Sequence, residues 1–514
     1  MEDLNLLTYG IISIIPIFFI LYTLLSPKNP HKNLPPSPPL SLPIIGHLHM
    51  LKRPLHKSIH EIATKYGQVL LLKLGVRNVL LVSSPEAVEE CLVKNDVIFA
   101  DRPDTLVGRI LHYNRTSMAL TPYNDHFRTI KRLMTQQVFT SGKIRLFTSV
   151  REEECQLLVR GLWEQSIESH KPVKVNLNKE FNDLGLNIMT QITAAKRFYG
   201  KGVEDASQAK QFSRIIREGA LLSNADNPID FIPILKYLYR GVEKQMISWM
   251  ERTDIFYQRL LDERKRMSNA EKGDSRTIID FLIEAQQQDP VFYTNEVIKG
   301  MVMIIILAGA DTSAAAMEWA MALLLNHPEA MKKARAEIDQ VIGHDRLIKE
   351  EDISQLPYLQ NVVNESLRLY PPTPLLIPHE SSQDCTICGY DIPRGTILMV
   401  SLWSIHHDPN LWDEPEKFKP ERFQGKEGED VVFRSLPFGL GRRACPGYAI
   451  GKRVICLAIG AFIQCFDWER PGNELLDMDQ DAGITMPKAQ QLEALYKIRP
   501  SMANLLSTLF NDDN

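Results

Sequence analysis

Hydrophobic and polar positions divide this chain unevenly. From Leu4 to Leu25 the residues are apolar almost without interruption, a run of 22, long enough to cross a hydrocarbon core of about 30 Å. Glu2 and Asp3 precede it, and Lys28, His31 and Lys32 come after it. That asymmetry predicts a retained single-pass anchor over 1–27 with everything downstream in the cytosol. A cleaved leader would want a basic start, a shorter apolar stretch and a small-residue cleavage site, and the run spells none of these. Within 28–46 come Leu34-Pro35-Pro36-Ser37-Pro38-Pro39 and Leu42-Pro43-Ile44-Ile45-Gly46. Consecutive prolines predict a stiff extended hinge that sets the angle between the anchor and the body.

Past the hinge the period changes. Gln68 to Leu74 and Asn78 to Ser83 are β-rich runs around a turn at Gly75, and Pro85 to Lys94 reads as helix, so a small sheet lies near the start of the body. From about Tyr123 to Asn326 the spacing is helical, with the longest stretches at 141–168, 240–266 and 294–325. The charged stretch from Asp262 to Arg276 lacks an apolar period and predicts an exposed helix end plus loop. Gly389 to Gly395 reads as a β-hairpin, Leu375 to Ile377 as a strand, and Tyr448 to Cys465 as an apolar helix. Asn227 to Leu235 is apolar and broken by prolines, open to either a surface role or buried loop packing. The expectation is one domain over 47–514, mainly α with small β-sheets.

Composition changes this picture little. The chain has 514 residues, 44% hydrophobic and 24% charged, enough for a sizeable core. A net charge of −4 gives no basis for a nucleic-acid partner. Seven scattered cysteines fit a reducing compartment without a disulfide framework. Cys385-Thr386-Ile387-Cys388 has the spelling C-x-x-C, with no second pair or nearby histidine set to complete a zinc site.

The chemistry concentrates in Phe438-Gly439-Leu440-Gly441-Arg442-Arg443-Ala444-Cys445-Pro446-Gly447. Gly441 and Gly447 permit backbone angles and close approach that a Cβ would resist, so a flat macrocycle fits against the loop. Pro446 fixes one φ, and the helix that begins just after it aims its N-terminal amides at the Cys445 sulfur. That partial positive charge, with Arg442 and Arg443 beside it, predicts a lowered thiol pKa and an anionic ligand. Arg443 also suits a heme propionate, because guanidinium pairs bidentately with carboxylates. A buried structural cysteine is the plainer alternative. The pattern Phe-x-x-Gly-x-Arg-x-Cys-x-Gly fixes five positions in ten residues and decides for a thiolate ligand to heme iron.

A second constellation lies in Ile304-Ile305-Ile306-Leu307-Ala308-Gly309-Ala310-Asp311-Thr312-Ser313. Ala308, Gly309 and Ala310 leave room on one face for a flat ring and a diatomic ligand. Thr312 can bond back to the carbonyl four residues earlier, which loosens the helix and admits water. A small-residue packing patch beside a capped acid is the alternative. Glu365-Ser366-Leu367-Arg368 places opposite charges at i and i+3 on a helix face, and Pro420-Glu421-Arg422-Phe423 stands farther along the chain.

These residues resemble the cytochrome P-450 superfamily, and the likeness runs through residues 30 to 500. Leu436 to Gly447, Glu318-Trp319-Ala320-Met321 and Leu323-Leu324-Leu325-Asn326-His327-Pro328-Glu329 are similar to plant family 81. The resemblance implies a P-450 fold behind the N-terminal transmembrane helix, at the endoplasmic reticulum membrane, with heme b as cofactor. It implies Cys445 as the iron ligand, and Phe438, Gly439, Arg443 and Ala308 as heme contacts. Thr312 and Asp311 become the residues that deliver protons to dioxygen, and Glu365, Arg368 and Arg422 a buried structural triad. Such families usually carry Trp-Arg-x-x-Arg in an early helix, where this chain has Phe127-Arg128-Thr129-Ile130-Lys131. Phe cannot donate a hydrogen bond and Lys makes a point contact in place of a fork. Lys131 and, from the other side, His379 are therefore the remaining candidate heme contacts.

Electrons would come from NADPH through a reductase partner, with Arg442, Lys452, Arg453, Lys131 and Arg132 as a basic docking face. The substrate segments by resemblance are Thr105 to Thr121, the helix before Ala308, Leu375 to Ile377, and Ile484-Thr485-Met486. They are mostly apolar, with Arg109 and Arg115 able to meet a polar group. The expected activity is hydroxylation of a hydrophobic plant metabolite: a flavonoid or isoflavonoid, a lignan, or a di- or triterpenoid. Methylenedioxy-bridge formation, or a hydroperoxide rearrangement without external electrons, is the alternative.

Overall fold

The computed structural model describes residues 33–169, 171–223, 227–267, 276–425, 436–481, 483 and 485–511. The predicted anchor, the start of the hinge and Ile484 lie outside the described residues. From Asn33 the chain is already fastened to the body. The Leu71 N–H donates to the Pro36 carbonyl at 2.9 Å, His47 donates to the Pro38 carbonyl at 3.0 Å, and Asn33 donates to the Gly389 carbonyl at 2.6 Å. The prolines thus stiffen a strap laid along the sheet.

The strands are β1 (Val69–Leu74), β2 (Arg77–Val82), β3 (Val173–Asn176), β4 (His379–Glu380), β5 (Cys385–Ile387), β6 (Tyr390–Ile392), β7 (Ile397–Val400), β8 (Phe466–Glu469) and β9 (Glu493–Ile498). They form three small sheets, ordered β1-β2-β7-β4, β3-β9-β8 and β5-β6. The predicted hairpin around Gly75 is β1–β2, in register from Val69 opposite Val82 to Leu74 opposite Arg77. Leu375 to Ile377 is a turn, not a strand. Prolines at 371, 372, 374 and 378 remove ladder donors around it, and Leu376 sits at φ +53.

Helices make up the bulk. The 141–168 pattern resolves into Ser141–Leu146 and Thr148–Ile167, broken at buried Phe147. Arg240–Arg266 and Asn295–Asn326 match their predicted spans closely, and Tyr448–Cys465 matches in full. Asn295–Asn326, the central helix, and Tyr448–Cys465, the post-cysteine helix, are long and apolar enough to cross a membrane, yet most of each apolar stretch is buried in the body. They are the core against which the other helices pack. Of the charged stretch from Asp262 to Arg276, residues 268–275 lie outside the described residues; ahead of them Arg264 is buried and ion-paired with Asp280, which also caps the next helix by accepting from the Thr277 N–H at 2.9 Å.

The central helix crosses Leu177–Ala194 with little between them. A Cβ on Gly185 would lie 2.9 Å from the Ala310 carbonyl oxygen, and one on Gly309 only 2.1 Å from Met189 Sδ. Gly309 and Ala310 therefore make a helix crossing, and of the three small residues only Ala308 is exposed. The expectation that all three make room for a ring is corrected, since a helix buried on two sides has one face left to offer.

The Glu365 lock is present. Arg368 donates to both carboxylate oxygens of Glu365 at 2.8 and 2.9 Å, and Arg422 donates to Oε1 at 2.8 Å. The Glu365, Arg368 and Arg422 side chains are 0%, 0% and 8% exposed respectively.

Candidate active site

The Cys445 loop is held by its own backbone. Cys445 N–H donates to the Phe438 carbonyl at 2.8 Å, and Ala444 N–H donates to that of Gly441 at 3.1 Å. Gly439 and Gly441 both sit at φ +68, the left-handed region that favours glycine. A Cβ on Gly441 would lie 2.1 Å from the Leu92 carbonyl oxygen, so the close approach here is to the chain's own backbone. Gly447, at φ −87, needs no such angle. Its Cβ would lie 4.0 Å from Cys445 Sγ, and its N–H donates to the sulfur. Phe438 meets Tyr448 edge-on, ring centroids 5.6 Å apart.

Cys445 is exposed, yet enough protein surrounds its sulfur that desolvation raises the thiol pKa, with the Gly447 N–H pulling the other way. The predicted depression by two arginines is absent for a geometric reason. Arg442 lies 2.9 Å from Asp96 and donates to the Tyr123 hydroxyl at 3.0 Å. Arg443 turns to backbone, donating to the carbonyls of Ala100, Met118 and Thr121 at 2.7, 3.2 and 2.5 Å. Its guanidinium lies 3.7 Å over the Phe127 ring.

Arg102 is the residue that sequence reasoning missed. It is 4% exposed and donates to the carbonyls of Ala119, Ile377 and Pro378 at 3.1, 2.7 and 2.8 Å. Burial, and then Arg443, push its pKa well down. Burial likewise pushes Arg443 down to about 10, opposed by Asp101, whose Oδ1 accepts from the Tyr123 N–H at 2.6 Å instead of pairing. A buried arginine and a half-buried one thus share one neighbourhood, and every hydrogen-bond acceptor described for them is a carbonyl.

His379 joins this group. Its Nδ1 lies 2.7 Å from the Phe99 carbonyl, which can only accept, so Nδ1 carries the proton and Nε2 is left as an acceptor while the ring is neutral. Burial, then Arg102, hold the ring neutral well below the usual histidine range. Its expected role as a donor therefore requires a negative neighbour. Lys131 donates its Nζ to the Arg442 carbonyl, and burial followed by Arg442 lowers its pKa. Phe127 and Lys131 thus brace the loop, one beneath Arg443 and the other at the backbone of Arg442.

On the central helix Thr312 Oγ1 donates to the Ala308 carbonyl at 2.7 Å, as the spacing predicts. Ala308 and Asp311 are exposed in the middle of a helix that is otherwise mostly buried. Asp311 is still desolvated enough to raise its carboxyl pKa, opposed by a hydrogen bond from Thr485. This helix packs against the post-cysteine helix; among the described residues no hydrogen bond joins Thr312 or Asp311 to the Cys445 loop.

These residues fit heme. A flat ring with an iron ligand on one face and two carboxylates at one edge matches a reachable sulfur, an accessible Ala308 and guanidinium charge at buried Arg102 and half-buried Arg443.

The neighbouring expectations fare unevenly. Arg109 donates to both oxygens of Asp104 at 2.8 and 2.5 Å, and Arg115 lies 3.6 Å from the same carboxylate, so their charge is directed within the loop and not toward a substrate. Tyr113 anchors the loop tip, donating to Asp254 Oδ1 at 2.9 Å, the oxygen that Lys299 meets at 2.5 Å. The basic face is partly neutralised, since Arg453 pairs with buried Glu350 at 2.7 Å, which Arg151 also holds. Arg132 stays exposed, beside a depression of about 360 Å³ lined by Tyr123, Phe127, Arg128, Lys131 and Arg442 among others. Ile234 and Leu238 are 71% and 79% exposed, whereas Asn227 is buried and Phe231 packs against the cluster around Leu72 and Leu74, so the 227–235 loop is packed inward at its start and exposed toward its end.

Comparison with known proteins places this geometry. The cytochrome P450 family model matches residues 35–493. Cytochrome P450 81Q32 of Catharanthus roseus is 45% identical over 93% of this chain and 94% of its own length. The (+)-piperitol/(+)-sesamin synthase of Sesamum radiatum is 41% identical over 98% and 99%, and an isoflavone 2'-hydroxylase of Glycyrrhiza echinata is 40% identical over 97% and 98%. Matched along nearly its whole length, the chain belongs to the cytochrome P450 family of monooxygenases, beside plant members of family 81.

Proposed function

We propose that this enzyme hydroxylates a hydrophobic plant specialised metabolite, with Cys445 as the axial thiolate of heme b and electrons from NADPH arriving through a flavoprotein reductase. One observation carries the reading: a reachable Cys445 sulfur near guanidinium charge at buried Arg102 and half-buried Arg443 whose described acceptors are all carbonyls. Heme, when bound, supplies the iron at which dioxygen is reduced and cleaved. The Gly447 N–H holds negative charge on the sulfur, and Arg102 and Arg443 would hold the propionates, with His379 and Lys131 behind them. Thr312, donating to the Ala308 carbonyl, keeps its oxygen lone pairs free to orient water. Asp311, with its pKa raised, can pass a proton closer to neutrality than an ordinary aspartate.

Among candidate substrates we favour a phenolic. Relatives are named as isoflavone 2'- and 3'-hydroxylases, and the substrate-side arginines are directed to Asp104, which leaves an apolar reception. Methylenedioxy-bridge closure is the second reading, favoured by the piperitol/sesamin synthase likeness. Exposed Leu40, Val76, Ile234 and Leu238, with the Val76 N–H donating to the Phe231 carbonyl at 2.9 Å, support an apolar side resting on the endoplasmic reticulum membrane.

The test is direct. Reduced protein with carbon monoxide should show the red-shifted Soret band of a thiolate ligand, and Cys445→Ser should lose it. Microsomes holding the enzyme and a plant reductase, fed isoflavones, lignans and terpenes with NADPH, should oxidise the phenolic compounds preferentially. A normal Soret band in the Cys445 variant would overturn the ligand assignment, and turnover confined to terpenes the substrate class.

A further inference from the structure

Three successive residues at the tip of the 105–121 loop, Tyr113, Asn114 and Arg115, sit at φ +47, +52 and +62. Residues with a Cβ leave that left-handed region unless their surroundings hold them there. Within the loop the Asn114 N–H donates to the Arg109 carbonyl at 2.9 Å, and the Arg115 N–H to that of Gly108 at 2.8 Å. Outward, Arg115 Nη2 donates to the Arg102 carbonyl at 2.7 Å, and the Tyr113 hydroxyl donates to Asp254 Oδ1 at 2.9 Å. Asp254 stands on Arg240–Arg266, and Lys299 of the central helix meets the same oxygen at 2.5 Å. Lys299 is 6% exposed, so Asp254 cannot turn away without stranding a buried charge. The acceptor for Tyr113 is thereby fixed.

The Tyr113 ring lands on Gly300. A Cβ there would lie 3.2 Å from Tyr113 Cδ2, so the missing side chain makes room for the ring. Gly300, Ile304 and Ala308 step along one side of the central helix at i, i+4 and i+8. Ala308 is exposed and Ile304 half-buried, whereas Gly300 is buried. The open side of the helix thus ends at Tyr113, about 12 Å along the axis from Ala308.

Resting on the monooxygenase reading, we propose that Tyr113 is a specificity-determining residue: latched through its hydroxyl to Asp254, its ring walls off the substrate side at Gly300 and limits the length of molecule that fits between there and the heme. The charges nearby are directed to one another and not to the substrate. Asp254 is shared by Tyr113 and Lys299, and Arg109 and Arg115 are directed to Asp104. A short planar phenolic laid along the central helix suits this space, and an elongated triterpenoid would meet the wall.

The test uses full-length heme-loaded enzyme and rigid imidazoles carrying one, two or three phenyl rings in line, which ligate heme iron and report binding by a Soret shift without turnover. Wild type should bind the three-ring compound about tenfold or more below the two-ring one, the cost of forcing a wall aside. Tyr113→Ala, which removes the wall, should recover that loss while the one-ring compound, too short to reach, binds as in wild type. Tyr113→Phe keeps the ring and removes the latch. In it the three-ring compound should recover in part, and the two-ring compound should dissociate about tenfold faster, the worth of a hydrogen bond to a charged group. A three-ring compound that binds wild type as tightly as the two-ring one, no gain or an equal gain at all lengths in Tyr113→Ala, or wild-type dissociation from Tyr113→Phe would overturn the proposal. If the one-ring compound fails to shift the wild-type Soret band, the underlying reading fails instead.

Discussion

Two arginine sites in this molecule, each at least partly buried, solve the same electrostatic problem in opposite ways. Around Glu365, two guanidinium groups share one carboxylate at 2.8–2.9 Å, and the cluster is complete within the chain. Around Arg443, two guanidinium groups make their described hydrogen bonds to carbonyls only. Desolvation of a charge is offset by an opposite charge far better than by a neutral dipole. The first site is therefore finished by folding, and the second, on the function proposed above, is finished by an anionic cofactor. A lock and a cradle can look alike in composition; the difference is where the negative charge comes from.

Deleting one charge at each site separates them. Glu365→Gln strands two buried guanidinium groups and should remove about 3–5 kcal/mol, a large share of the ~5–15 kcal/mol of a typical domain. Little folded protein should accumulate, with or without added heme, as read by soluble yield and thermal melting. Arg102→Gln keeps two N–H donors for the carbonyls and deletes the charge. The heme-free protein should melt within a few degrees of wild type, while heme transfer to a scavenging apoprotein accelerates about tenfold to a hundredfold, the loss of one charge-assisted hydrogen bond of ~1.5–3 kcal/mol. Equal losses in heme-free and heme-loaded forms would erase the distinction between lock and cradle.

That distinction was half visible in the sequence. Glu365 and Arg368 are three residues apart, and Thr312 reaches the carbonyl four residues back, so helix geometry alone brings each pair together. Cys445 is legible because its loop is defined by its own glycines and backbone bonds. Arg102 was not legible. Its meaning lies in acceptors up to 276 positions away and in the lack of a carboxylate among them, which no local pattern records; an arginine before a proline in the apolar setting of Phe99-Ala100-Asp101-Arg102-Pro103 was the available signal. Gly309 and Ala310 were misread because composition does not tell which face of a helix a neighbour such as Met189 will fill. Arg109, Arg115 and Arg453 were misread because partners decide whether a surface charge is free.

A titrating group sharpens the comparison at a smaller scale. His379, beside Arg102 and Arg443, is held neutral in the fold, whereas in the unfolded chain it binds a proton below about pH 6.5. Its folded pKa is depressed, so its contribution is present above the unfolded value and lost as pH falls. The slope approaches ~1.4 kcal/mol per pH unit once the unfolded form is charged. Urea melts of heme-free protein between about pH 6.5 and 5 should fall more steeply for wild type than for His379→Asn, whose amide can still donate to the Phe99 carbonyl. In heme-loaded protein the two slopes should converge, because a propionate supplies the negative neighbour. Persistence of the full difference with heme bound would argue that no anion reaches this cluster.

The smallest effect concerns the rings beneath the arginines. Trp412 lies under the lock, 5.1 Å from the Arg368 guanidinium, and Phe127 under the cradle, 3.7 Å from that of Arg443. A ring face attracts a cation most when the cation has been desolvated without a counter-charge. Coupling between Phe127→Leu and Arg443→Gln, measured as a double-mutant cycle on the melting of heme-free protein, should therefore reach about 0.5–2 kcal/mol. The cycle between Trp412→Leu and Arg422→Gln, with Arg422 held by Glu365 and 6.0 Å from its ring, should give no more than about 0.5 kcal/mol. Heme loading should shrink the first coupling toward the second, since the propionates then share the charge that the ring alone had faced. A larger coupling under the lock than under the cradle would mean that ring geometry, and not charge balance, separates the two sites.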